Sequence, residues 1–177
     1  ISVGAVLAIA ATVATWTLGQ ALTAGLNGPW PLLLAIAAAL LAALLCGLWN
    51  GALVVKAGMQ PIIATLVLMV AGRGIAQLIS DGQILTVYYA PYAWLGTGFL
   101  LGLPVPVWIA LVVLAALLLL LSRTALGLFL RAIGHNPAAA HGAGIRTRSI
   151  ILAVYVFCAL CAGIAGLLVS ANVSSAD

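Results

Sequence analysis

Charge is what this sequence lacks most. Among 177 residues there are six Lys or Arg and two Asp or Glu, so charged side chains make up 5% of the chain. A soluble domain carries roughly 25%, and a chain this poor in charge cannot cover a water-facing surface. Acid is the scarcer sign: Asp81 and Asp177 are the whole supply. No carboxylate pair is therefore placed for acid–base catalysis. The single lysine, Lys56, lies in no G-x-x-x-x-G-K-[ST] loop, which excludes that phosphate cradle. No G-x-S-x-G elbow occurs, so the nucleophile of a hydrolase is missing as well. His135 and His141 lack nearby Cys or carboxylate residues, which argues against a metal site. Cys46, Cys158 and Cys161 all sit in apolar runs, where a thiol packs as a small hydrophobe. The C-x-x-C of Cys158 and Cys161 falls in an apolar helix pattern rather than a βα turn, which argues against redox work. A net charge of +4 does not point to nucleic acid either, because six cations scattered among apolar residues make no basic face. No enzyme activity and no resident cofactor are expected.

What the chain has is hydrophobic length. Apolar residues make up 66% of it, and five runs approach the roughly 20 residues needed to cross a bilayer. They are Ile1–Leu18, Leu32–Val55, Pro61–Ile79, Val105–Leu121 and Ile150–Ser170. A membrane barrel would instead show segments of about 10 residues with alternating polarity. The fold class expected is an all-α membrane protein: a polytopic transmembrane helix bundle of five spans forming one domain over residues 1–177. Ile1 is not a start methionine, nothing resembles a signal peptide, and the sequence stops at "NVSSAD". The expectation is a segment of a longer protein, with helices both before and after it.

Lys and Arg mark the cytoplasmic side. Arg123, Arg131, Arg146 and Arg148 lie between the fourth and fifth runs, and Lys56 lies between the second and third. Connections 19–31 and 80–104 hold neither residue. Alternate crossings thus put every basic residue but Arg73 on one face, and Ile1 enters from the cytoplasmic half. Residues 57–60 alone join the second and third runs, so those helices are antiparallel neighbours. Pro61 suits the first turn of the third, where its missing N–H does no harm. The outer connection carries Tyr88, Tyr89, Tyr92 and Trp94, placed either at headgroup level or as a docking surface for an external partner.

Three polar side chains interrupt the spans. Arg73 lies roughly 18 Å along its helix from Pro61, and inserting it costs about 2.5–3.5 kcal/mol against about 0.3–0.6 gained from each large aliphatic. The span survives, and its charge is read in two ways: tied to carbonyls of a neighbouring helix inside the bundle, or lining a pathway. Asp81 is too far along the same helix to pair with it directly. Asn50 and Gln77 likewise make cross-helix hydrogen bonds or line a permeation path. Small residues recur at i and i+4, at Gly47 and Gly51 and at Cys158, Ala162 and Gly166, a spacing that lets helix backbones approach closely.

Between the last two runs stands "RAIGHNPAAAHGAGIR" at 131–146. Asn136 is a good N-cap and Pro137 a good first helical residue. Three alanines favour helix, and Gly142 or Gly144 can stop it. The result is a helix of two turns on the cytoplasmic side, too short to span. It is either a docking element whose motion passes to both adjoining spans, or a simple connector.

Two stretches, "GLWNGALVVKAGMQPIIATLVLMVAGRGIAQLISDGQ" (47–83) and "TALGLFLRAIGHNPAAAHGAGIRTRSIILAVYVFCALCAGIAGLLVSANVSSAD" (124–177), resemble the inner-membrane permease subunits of bacterial sugar ABC importers, in the ribose and galactofuranose branch. "ISVG" at 1–4 looks like the tail of a Gly-Gly-Ile-Asp-Leu-Ser-Val-Gly signature, with Ile1 in place of Leu. The resemblance implies a coupling helix seated in a groove of a cytoplasmic ATP-binding cassette subunit. Gly134, Asn136, Ala139, Ala140, Gly144 and Ile145 match its "AIGxNxxAAxxAGI" pattern, while His135 stands for a commoner glycine and His141 for Arg or Lys. It also implies a second permease subunit, an extracytoplasmic sugar-binding protein, a membrane-lipid surround in the bacterial inner membrane, and Mg-ATP bound by the partner alone. Three rivals are weighed. An aquaporin-like channel is suggested by "NPA" at 136–138, but it needs a second copy and an apolar surround. An intramembrane enzyme lacks a nucleophile and base. A permease for branched-chain amino acids or nucleosides shares the architecture and stands as the alternative.

Overall fold

A computed structural model describes residues 2–25, 28–83, 85–100, 102–173 and 175–176. Ile1 and Asp177, both singled out above, lie outside the described residues. Five helices are long and apolar enough to cross a membrane: α1 (Val3–Thr23), α2 (Trp30–Val55), α3 (Pro61–Ile79), α5 (Val105–Arg123) and α8 (Thr147–Val173). Three shorter helices complete the set: α4 (Ala90–Thr97), α6 (Ala125–His135) and α7 (Pro137–Gly142). Two-residue strands β1 (Leu85–Thr86) and β4 (Ser175–Ala176) pair antiparallel, as do β2 (Phe99–Leu100) and β3 (Leu103–Pro104). The α3 bounds coincide with the apolar run. α1, α5 and α8 run past theirs, because helix continues into the polar ends where water or headgroups receive the last backbone groups.

Proline sets the helix starts. Pro31, Pro61, Pro91, Pro106 and Pro137 occupy the first or second position of α2, α3, α4, α5 and α7, and Pro29 and Pro104 are N-caps. These account for all seven prolines in the chain. The missing N–H falls where no intrahelical bond is lost, so no span is kinked by one.

α1 is the centre of the bundle, packed against α2, α3 and α8. Its hydroxyls are satisfied within the helix: Thr12 and Thr15, both buried, donate to carbonyls three and four residues back at 3.0–3.1 Å. A lipid-embedded core tolerates threonine on those terms. The buried stripe of α2 repeats every four residues as Ala35, Ala39, Ala43, Gly47 and Gly51. This stripe meets α8 closely. A Cβ added to Gly47 would lie 2.8 Å from both Ala159 Cβ and Val156 Cα, and one on Gly163 would lie 2.6 Å from Ala43 Cβ. Gly166 lets α8 approach the Leu7 carbonyl of α1, where an added Cβ would stand 2.5 Å away. The Gly47–Gly51 spacing is thus the α2 side of the seam, while on α8 the seam runs through Ala159 and Gly163, Gly166 turns to α1 and Cys158 is exposed; dispersion across these contacts replaces the hydrophobic effect that lipid does not supply.

The outer end is more ordered than a connection. C-termini of α1, α3 and α8 meet there through the β1–β4 pair, and Tyr89 Oη donates to the Gly28 carbonyl at 2.7 Å. Tyr92 is 1% exposed. Its hydroxyl lies 2.5 Å from Ser170 Oγ and 3.4 Å from the Leu167 carbonyl, which docks α4 on α8. Burial pushes the Tyr92 phenol above its ordinary range, with the Ser170 bond acting against the rise. Tyr88 and Trp94 remain exposed, so the four outer aromatics divide: Tyr92 is a packing anchor, not a headgroup-level residue. α5 stands apart, with Val105 its one buried residue among those described.

Candidate functional site

The opposite end of the bundle carries the positive charge. Lys56 caps the C-terminus of α2, Arg123 closes α5, Arg131 lies in α6, and Arg146 and Arg148 flank the start of α8. Between α5 and α8 the chain folds into a helical hairpin of α6 and α7. The corner after α5 is tight: Thr124 Oγ1 bonds the Leu120 carbonyl, and Gly127 sits against the Leu121 carbonyl where no Cβ fits. α6 was not foreseen as a separate helix. Its signal is the run Leu126, Phe129, Leu130 and Ile133 with Arg131 among them, an amphipathic pattern too short to register as a span and so left within the connection after Leu121.

Asn136 ends α6 and starts α7. At φ −154° and ψ 102° its backbone leaves the helix, and Oδ1 accepts from Ala138 N at 3.0 Å and Ala139 N at 3.1 Å. Two of the orphan N–H groups of a first turn are thereby satisfied. Gly144, at φ +82°, ends the segment: the Ile145 N–H reaches back to the Ala140 carbonyl at 3.1 Å, a left-handed glycine stop. Of the two candidate stop glycines, Gly144 takes the role. Gly134, His135, Asn136, Ala139 and Gly144 are exposed on this hairpin. Ala140 is 5% exposed and Ile145 half-buried. Of the seven, Ala140 alone is buried, so it offers little surface of its own.

The three intramembrane polar residues separate. Asn50 is 3% exposed and packs in the interior near the basic end, where its Nδ2 donates to Ser2 Oγ at 2.9 Å. Its Oδ1 has no partner among the described residues. It lines a cavity of about 310 Å³ together with Ser2, Thr65, Tyr155 and Cys158, enclosed by α1, α2, α3 and α8. Arg73 and Gln77, by contrast, are exposed on α3. The bundle-interior reading of those two does not hold within this chain. α3 buries Ala64, Leu68, Gly72 and Ala76, and Gly72 admits Ala5 of α1 so closely that an added Cβ would stand 2.9 Å away. Long polar side chains have no room along that stripe and project from another face. No cluster of three or more His, Cys, Asp or Glu side chains gathers among the described residues. What the site offers is an exposed, capped pair of short helices between two spans and, within the bundle, a small cavity with one polar atom that is unsatisfied among the described residues.

Residues 1–177 match the family described as branched-chain amino acid transport system / permease component. Among curated proteins, the galactofuranose transporter permease protein YtfT of Escherichia coli (strain K12) is 49% identical over 178 residues, covering 100% of this chain and 50% of that protein. The fructose import permease protein FruF of Bifidobacterium longum (strain NCC 2705) is 38% identical over 181 residues, covering 100% and 49%. The ribose import permease protein RbsC of Escherichia coli (strain K12) is 36% identical over 181 residues, covering 100% and 54%. The chain thus spans about half the length of each of these relatives. No solved structure matches it. With five membrane-crossing helices and a family match from the first residue to the last, the chain belongs to this permease family and is a multi-pass protein of the bacterial inner membrane.

Proposed function

We propose that this chain is part of the membrane-spanning subunit of an ATP-driven importer for a monosaccharide, and that its 177 residues form one permease domain with helices contributed from outside them. The observation that carries the reading is the full-length likeness to permeases named for galactofuranose, fructose and ribose. The exposed α6–α7 hairpin supports it from the physics. A capped helix whose two ends lead into spans α5 and α8 passes a push on its outer face to both at once, without unfolding. Its partner is a cytoplasmic ATP-binding cassette subunit, which binds Mg-ATP. A second permease copy and an external sugar-binding protein complete the assembly.

In this scheme Gly134, His135, Asn136, Ala139 and Gly144 face the ATPase, while Ala140 and Ile145 anchor the hairpin. Asn50 lines the inner part of the pathway, its free Oδ1 ready to accept from a sugar hydroxyl. Arg73 and Gln77 line the route only where α3 meets a second subunit. Replacing Gly134 and Ala139 with Trp tests the coupling role: ATP hydrolysis is expected to continue while uptake fails. Wild-type uptake by that variant would refute it.

The family description favours a second reading, a permease for branched-chain amino acids. Thermal-shift titration of the cognate external binding protein separates the two. Stabilisation by pentoses and hexoses supports the sugar reading, and stabilisation by leucine, isoleucine or valine alone overturns it.

A further inference from the structure

The basic end of the bundle holds a second cleft, of about 430 Å³, between the end of α2 and the start of α8. Lys56 and Arg148 both line it, with the Ser149 hydroxyl beside them and Ala52, Val55 and Leu152 as the apolar remainder. Among the described residues no acidic side chain lies on this side to neutralise the pair. Asp81 is the one acidic residue among those described, and it follows the outer end of α3, across the membrane. Lys56 and Arg148 therefore stand exposed at the cleft as a pair of like charges with no carboxylate beside them among the described residues.

The shape of the cleft says which kind. Its cations sit at the ends of the two spans, Ala52 and Leu152 lie one turn further into them, and Val55 adjoins Lys56. An anionic head with hydrocarbon below it matches both parts. A free anion would use only the first, and an acidic protein surface would leave the apolar part uncovered. We propose that this cleft binds the phosphate headgroup of an anionic phospholipid from the inner leaflet, with the lipid chains lying against Leu152 and Val55. Basic pockets between membrane helices on the cytoplasmic side suit such heads. A lipid held there clamps α2 to α8 at the end where the α7 hairpin joins α8.

Native mass spectrometry of the purified, delipidated permease tests this, titrating phosphatidylglycerol against phosphatidylethanolamine with the same acyl chains. Phosphatidylglycerol is expected to bind more tightly. Each cation near an anionic head is worth roughly a fivefold change in affinity, so K56Q/R148Q is expected to weaken that binding roughly 25-fold. The charge-preserving K56R/R148K keeps the preference, and so does R123Q/R131Q, which removes equal charge from the same face. Three results overturn the proposal: equal binding of the two lipids, equal loss in both Gln double variants, or displacement of the lipid by inorganic phosphate, which would make the cleft a simple anion site. A fourth is K56Q/R148Q losing the ATPase subunit while keeping its lipid preference, which would assign the pair to a protein partner.

Discussion

Gly47→Ala is the sharpest test of the packing, because two effects of the same methyl have opposite sign. In an ordinary helix interior, alanine is more stable than glycine by about 1 kcal/mol. At Gly47 the new Cβ would lie 2.8 Å from Ala159 Cβ and 2.8 Å from Val156 Cα. Carbon atoms prefer about 3.5–4.0 Å, so α2 and α8 must part by roughly 0.7–1 Å. Val156 Cα is backbone and cannot swing aside. The same seam holds Gly163 against Ala43, 2.6 Å from an added Cβ, so the separation spreads along both helices. Forced overpacking of this kind costs about 1–3 kcal/mol, which exceeds the propensity gain. Gly47→Ala is therefore expected to lower the midpoint of thermal unfolding of the detergent-solubilised protein. Gly19→Ala and Gly74→Ala, with nothing within 4 Å of the added atom, are expected to leave it unchanged or raise it. Adding Ala159→Gly removes one of the two clashes and should restore part of the loss. A Gly47→Ala protein as stable as the Gly74→Ala one would refute the close seam.

Three further outcomes follow from the geometry. Asn136→Ala removes the acceptor for two backbone N–H groups and should loosen α7 by about 1 kcal/mol; uptake is expected to fall while thermal stability of the spans holds, and Asn136→Asp should rescue it. Asn50→Leu is close in volume but removes the donor to buried Ser2 Oγ, so stability is expected to fall by about 1 kcal/mol and to recover when Ser2→Ala is added, while uptake falls if the cavity carries substrate; unchanged uptake would make Asn50 a packing residue only. Tyr92→Phe deletes the bond to Ser170 and should cost about 1 kcal/mol, read as faster proteolysis near α4 before any global unfolding.

The spans and the α2 side of the small-residue seam were legible because each rests on a local rule. Hydrocarbon thickness dictates run length, and a four-residue repeat brings small side chains to one face. The same locality made the Asn136 cap and the Gly144 stop readable, since both involve bonds within a few residues. Two elements were missed. α6 passed for part of the connection after Leu121 because its 11 residues are too few to span, and α4 passed for a loop because its stability comes from Tyr92 reaching Ser170, 78 residues away.

What the sequence determined by itself is the membrane class and the Asn136-capped short helix between the last two spans; both follow from transfer energies and from bonds that close within a turn. Only the tertiary structure decided which polar residues are inside. Asn50, Arg73 and Gln77 look alike as isolated interruptions of apolar runs, yet Asn50 is buried against Ser2 while Arg73 and Gln77 stand exposed on α3. That division depends on how helices are rotated about their axes, and rotation is set by the sum of close contacts among α1, α2, α3 and α8, which no single stretch of chain contains.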